Sequence, residues 1–255
     1  MVYTNSLYAT TEFTFKQKEH NMAKVFISGS SSGLGASLAK RFVEAGHAVA
    51  GLARNQQRLQ EQHDQLGDLY HPIIGDLAQT DQLGEFVAAV NSALDGCPDI
   101  IIHNAGIFQL GAFSALSASV MEKMWRVNTL APMIMTQAWL PTMQARKSGR
   151  IICIASVAGI HGLAGQASYC ASKHGMVGFA DALGNELRGS GVSVHTICPG
   201  GINTPLWKSG EVSYPGDVEQ TMSVDEISNL VVFITQQPHG TLYRRVICFP
   251  ESEWH

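Results

Sequence analysis

The sequence predicts an α/β fold: a doubly wound, seven-stranded parallel sheet with helices on both faces, in a single domain. Three observations carry that expectation. From Lys24 onward, short apolar or β-branched runs alternate with longer stretches of helical period, the pattern of strands joined by crossover helices. The 255 residues are 45% hydrophobic and only 15% charged, against about 25% charged in an average soluble protein, which suits a sheet covered on both sides. No internal repeat is visible, and no Pro- or Ser-rich linker divides the chain.

Strands are expected at Lys24–Ser28, Ala48–Leu52, Tyr70–Ile74, Ile100–Ile102, Arg150–Ile154, Val192–Ile197 and Val246–Phe249. Helices are expected at Leu34–Ala45, Asn55–Leu66, Thr80–Leu94, Ala118–Gln144, Tyr169–Arg188 and Val224–Thr235. Helices of these lengths can return the chain for right-handed parallel connections. Met1 to Asn21 lack a periodic apolar pattern, a secretory apolar core and the arginines of a transit peptide, so a loosely ordered extension is expected ahead of a domain spanning 22–255, with Met22 as an alternative start.

Net charge is −4, which argues against nucleic acid as a partner. No apolar run reaches the roughly 18 residues of a membrane-spanning helix, so no membrane partner is expected either. Five scattered cysteines without a CxxC pair, and ten histidines without HExxH, point to free thiols in a reducing, cytoplasmic setting and to no metal site.

The first strand runs into Ser28-Gly29-Ser30-Ser31-Ser32-Gly33-Leu34-Gly35 and then directly into a helix. Such a turn presents backbone amides and the positive end of a helix to a pyrophosphate, and glycines admit a close approach. Gly29, Ser31, Ser32, Gly33, Leu34 and Gly35 are therefore candidate dinucleotide contacts. The spacing is G-x-x-x-G-x-G, and no Lys-Ser/Thr pair follows, which excludes a P-loop. An acidic residue closing the second strand would bind the ribose 2′-hydroxyl of NAD. Here Ala53 stands at that place, followed by Arg54. A guanidinium without a carboxylate suits a 2′-phosphate, so NADP is expected over NAD; the competing account is a solvated arginine opening a helix. Asp76, followed by Leu77, lies where a carboxylate can accept from the adenine amino group, and an ordinary turn aspartate fits the same place.

The fifth strand ends in Ile154-Ala155-Ser156, and Tyr169-Cys170-Ala171-Ser172-Lys173 then opens a helix. Tyr169 and Lys173 are four apart and share a helix face. A phenol with an ordinary pKa of about 10 is a poor acid or base at neutral pH. A nearby ammonium favours the phenolate, so Lys173, with a positively charged nicotinamide close by, is expected to draw the Tyr169 value down. Ser156 is suited to hold a substrate oxygen while Tyr169 transfers its proton.

In this order and spacing the chain resembles the short-chain dehydrogenase/reductase family, from about Ala23 to Phe249. The resemblance rests on the Gly29/Gly33/Gly35 turn, Asp76, His103-Asn104-Ala105-Gly106, Asn128, Ser156, Tyr169 with Lys173, and Pro199-Gly200. It implies a Rossmann-like domain in which Tyr169 is the catalytic acid/base and Lys173 tunes it and binds the nicotinamide ribose. It further implies that Ser156 orients the substrate, Asn128 holds a proton-relay water, and Asn104, with Ala105 and Gly106, supports the sheet and lines the adenosine side. Pro199, Gly200, Ile202 and Thr204 would border the nicotinamide carboxamide. Ser28 and His103 depart from the threonine and asparagine usual at their places.

The resemblance also implies a homodimer through the helices bearing Asn128 and Tyr169. The ending Phe249-Pro250-Glu251-Ser252-Glu253-Trp254-His255 lacks the glycine-rich close of tetrameric members and puts a tetramer in doubt. The substrate side should include Ile107, Phe108, Val157 to Gln166, and the short loop Leu206–Ser223 with Trp207, Lys208, Val212 and Tyr214. That suggests a partly open pocket for a small or medium, mainly apolar carbonyl compound or its alcohol. His161 reads as a spectator or a substrate contact, and Cys170 as a packed small residue or, with Lys173 near, a reactive thiol. Two function classes stand: an NADP-dependent oxidoreductase, and a dinucleotide-binding sensor with little turnover. The joint presence of Asn128, Ser156, Tyr169 and Lys173 favours the enzyme.

Overall fold

The computed structural model describes residues 22–208 and 217–253. The expected N-terminal extension, Val212 and Tyr214, and the side chains of Leu206 and Lys208 lie outside the described residues. Strands form where apolar and β-branched residues run together: β1 (Lys24–Ser28), β2 (Ala48–Ala53), β3 (Tyr70–Ile74), β4 (Ile100–His103), β5 (Gly149–Ile154), β6 (Val192–Pro199) and β7 (Arg245–Cys248). All pair in parallel, in the order β3-β2-β1-β4-β5-β6-β7.

Successive strand side chains point to opposite faces, and each face buries its own layer. Val25, Ile27, Ile100 and Ile102 pack against α1 (Gly33–Glu44), α2 (Gln56–Leu66) and α7 (Val224–Gln236). Phe26, Ile101 and Ile151 face α3 (Leu83–Ala93), α5 (Ala131–Ala145) and α6 (Ala167–Glu186). In that second layer the buried Trp139 ring lies 4.9 Å from Phe26, and its Nε1 donates to Asn91 Oδ1 at 2.8 Å, so the indole is buried without an unmet donor.

The expected strands and helices are present, with ends shifted by a few residues. One helix departs. The stretch expected as Ala118–Gln144 is α4 (Ala118–Trp125), a π-helical turn (Arg126–Leu130) and then α5. Pro132 follows that turn. It has no N–H to give the carbonyl four residues back, that of Asn128, and its ring would crowd a regular helix there. Widening to a π turn accommodates both effects.

Strand order reverses between β1 and β4, from which the chain leaves toward opposite faces. The crevice beyond their carboxyl ends is where α/β sheets of this kind bind ligands.

Candidate active site

The end of β1 is tied to the end of β4 by one hydroxyl. Ser28 Oγ accepts from the backbone N–H groups of Asn104 and Ala105, each at 3.0 Å, and Asn104 Nδ2 donates to the carbonyl oxygens of Ser28 and Gly29. His103 places Nε2 2.7 Å from Thr136 Oγ1, and complete burial lowers its pKa to about 3, so the ring is a neutral packing group. Gly29 has φ +71°, and a Cβ on Gly35 would lie 2.2 Å from the Gly29 carbonyl oxygen. Only glycine lets the helix start so close to the turn. Ser32, the residue before α1, makes no side-chain cap, and the first turn of α1 holds no acid, so the positive helix end faces the crevice unneutralised.

From this turn a cavity of about 1380 Å³ runs to the chemical end. Ser31, Ser32, Gly33, Leu34, Arg54, Asp76, Leu77, Asn104, Ala105, Gly106, Ser156, Tyr169, Lys173, Pro199, Gly200, Ile202 and Thr204 line it together with Gly29. Gly35 and Asn128 are not among its lining residues. Gly35 is required by the turn's own packing. Asp76 Oδ1 accepts from Ala78 N at 3.0 Å, so the aspartate is a turn residue that also borders the cavity.

Asn128 sits in the π turn, fully buried. Its Oδ1 accepts from Ile107 N at 2.8 Å, and its Nδ2 donates to Ile107 O at 2.9 Å and Ser172 Oγ at 3.0 Å. Both ends of the amide thus bond to protein groups. What the side chain does is clamp the chain after Gly106 to the helix that carries Tyr169 and Lys173.

Lys173 Nζ donates to Ile154 O at 2.9 Å and lies 5.8 Å from the Tyr169 ring centre. Burial lowers the Lys173 ammonium to about 8 and raises the Tyr169 phenol to about 12, with the Ser156 side chain pulling the phenol back down. In the chain without a dinucleotide, the phenol is raised by burial rather than lowered by Lys173. Burial is the largest cause at the phenol, and one of the three ammonium N–H groups is given to Ile154 O. Ser156 Oγ accepts from Ala158 N at 3.1 Å, which holds the hydroxyl over the end of β5.

On the substrate side, the Phe108 ring stands edge-on to Tyr169 at 4.8 Å and to Trp207 at 5.4 Å. Ile107, His161 and Trp207 line the cavity as expected, and His161 is exposed, its ring 6.5 Å from Phe249. Cys170 is buried and its Sγ accepts from Leu163 N, a packed residue. Sequence reasoning missed Arg58, Phe249, Ser252 and Glu253, all of which border the cavity. Arg58 was findable, being four residues after Arg54 in the first turn of the next helix; the C-terminal residues carried no local signal.

The family profile for short chain dehydrogenases matches residues 23–213. The chain is a short-chain dehydrogenase/reductase. Among its relatives in this family, the ketoacyl reductase HetN of Nostoc sp. is 35% identical, over 75% of this chain and 68% of that protein. A serine dehydrogenase solved with NADP+ is 28% identical at a TM-score of 0.82, covering 91% of this chain and 96% of that one. A 4-hydroxyisoleucine dehydrogenase solved with NADH and succinate is 26% identical at a TM-score of 0.77, covering 89% of this chain and 97% of that one. Membership makes this short-chain dehydrogenase/reductase an oxidoreductase. Among its described residues no helix is long and apolar enough to cross a membrane.

Proposed function

We propose that this short-chain dehydrogenase/reductase is an NADP-preferring enzyme that interconverts a small or medium carbonyl compound and its alcohol, with Tyr169 as the proton-transferring group. The convergence of Ser156, Tyr169 and Lys173 on one cavity that begins at an uncapped helix N-terminus carries this reading. The cradle fits a dinucleotide: Gly29 to Leu34 and the α1 amides would hold its phosphates, and Gly106, Lys173 and Pro199 to Thr204 its nicotinamide half. Bound there, the nicotinamide supplies hydride in reduction and takes it in oxidation.

Preference for the 2′-phosphate rests on Ala53 at the end of β2, with Arg54 and Arg58 both exposed and both lining the cavity. Two guanidiniums without a carboxylate beside them favour a phosphate over a bare hydroxyl. At the other end, burial keeps Tyr169 protonated at neutral pH, the form that donates to a carbonyl oxygen during reduction. Ser156, beside the phenol, is suited to orient that oxygen. Asn128 acts as a positioning residue through Ile107 and Ser172, while its main-chain carbonyl, to which Pro132 has no N–H to give, is the group suited to a relay water. The wall of Phe108 and Trp207 favours an apolar substrate body.

Exposed Trp125 and Met133, on α4 and α5, support a homodimer through these helices and α6. The five free cysteines suit a reducing, cytoplasmic setting.

A panel of ketones, aldehydes and alcohols with both nicotinamide cofactors, followed by nicotinamide absorbance, tests the reading. Tyr169→Phe should cut turnover by about 10²–10⁴-fold and leave NADPH binding near wild type. Arg54→Ala and Arg58→Ala should each weaken NADPH binding far more than NADH binding. Full turnover in the Phe variant sinks the role of Tyr169, and equal losses for the two nucleotides sink the NADP preference.

A further inference from the structure

After β7 the chain does not leave the molecule. Phe249 and Pro250 lead into a single 3₁₀ turn, Glu251–Glu253, closed by Glu253 N donating to Pro250 O at 3.0 Å. This turn carries the chain back across the end of β6. There Gly201 N donates to Glu253 Oε2 at 2.8 Å. A Cβ on Gly200 would lie 2.4 Å from that same oxygen and 3.1 Å from Pro250 Cδ, so the missing side chain at Gly200 makes room for the C-terminal turn.

The neighbouring serine reaches a second strand of chain. Ser252 Oγ donates to Gln220 O at 3.1 Å. Two residues on, Met222 N donates to Gly201 O at 3.0 Å and Met222 O accepts from Asn203 N at 2.9 Å, the small parallel bridge between Ile202 and Met222. The C-terminal turn therefore holds both sides of that bridge, through Glu253 on one and Ser252 on the other. Gly200-Gly201 is the most freely rotating stretch of backbone between β6 and Thr204. The carboxylate fixes it with a charge-assisted bond.

We infer that Glu253 is a positioning residue: its carboxylate locks the Gly200–Gly201 backbone and so sets the Ile202–Thr204 wall of the cavity for the dinucleotide. The inference rests on the proposal that this end of the cavity receives the nicotinamide half. An acceptor oxygen at that reach is what the bond needs, so glutamine can stand in and alanine cannot.

The test uses the full chain as wild type, Glu253→Ala, Glu253→Gln and Ser252→Ala. Hydrogen exchange is read at the Gly201 amide, NADPH affinity by fluorescence, and folding by the thermal midpoint. In Glu253→Ala, exchange at Gly201 should quicken by about tenfold or more, the scale of one lost charge-assisted bond. NADPH should bind severalfold more weakly, with an unchanged midpoint. Glu253→Gln should stay near wild type in both, and Ser252→Ala should fall between. Should Glu253→Ala fail to fold, Ser252→Ala with intact folding and wild-type exchange and affinity would overturn the inference. Unchanged exchange in Glu253→Ala, or faster exchange with unchanged affinity, would overturn it as well. If wild type binds neither NADPH nor NADH, it is the dinucleotide reading that fails, and the exchange measurement still reports the Glu253–Gly201 bond by itself.

Discussion

Lys173 is 3% exposed, and its ammonium is held near 8 in the folded chain against 10.5 ordinarily. Between those values the unfolded chain keeps a proton that the folded chain has released. The site therefore destabilises the fold below pH 8 and its cost shrinks as pH rises toward 10.5. In urea unfolding at pH 8 and pH 10, wild type should gain on Lys173→Met by on the order of 2 kcal/mol. Parallel responses in the two proteins would show that the ammonium is not depressed. The same reasoning separates what was readable at single residues. Tyr169, Lys173 and Ser156 were legible because their spacing puts them on one helix face and one strand end. The sign of the Tyr169 shift was not, since burial by residues distant in sequence outweighs the neighbour four positions away. Asn128 was legible as a special position, but its side-chain partner Ile107 comes from a different segment.

The π turn shows how a local rule acts through an element. Its trace in the sequence is Pro132, which has no N–H to give the Asn128 carbonyl, while apolar periodicity alone reads straight through the break. The start of α7 is the opposite case, written in local sequence. Ser223 Oγ accepts from Glu226 N at 3.2 Å and Glu226 Oε2 accepts from Ser223 N at 2.6 Å, a reciprocal cap. At its other end Arg150, from β5, donates to the carbonyls of Ile234 and Gln237. Ser223→Ala should cost about 1 kcal/mol, seen as a lower denaturant midpoint with an unchanged slope. A loss below a few tenths of a kcal/mol would mean that packing against α1 and the Arg150 bonds hold the helix without its cap.

Association belongs to the molecule as a whole. Light scattering should give a mass twice that of one chain, and Met133→Glu, at an exposed α5 position, should shift it toward the monomer with unchanged circular dichroism. A monomeric wild type removes the dimer reading. By itself the sequence determined the parallel α/β layering, because the alternation of short β-branched runs with helical stretches leaves few other ways to bury 45% apolar residues. It also determined the glycine turn and the Ser156, Tyr169 and Lys173 set, whose chemistry depends on residue type at fixed local spacing. Only the tertiary structure decided which groups meet across long sequence separations: Ser28 with Asn104 and Ala105, Asn128 with Ile107, Glu253 with Gly201. Those contacts are made by backbone groups as much as by side chains, and every residue has a backbone. Residue identity therefore gives no warning of them until the sheet brings the segments together.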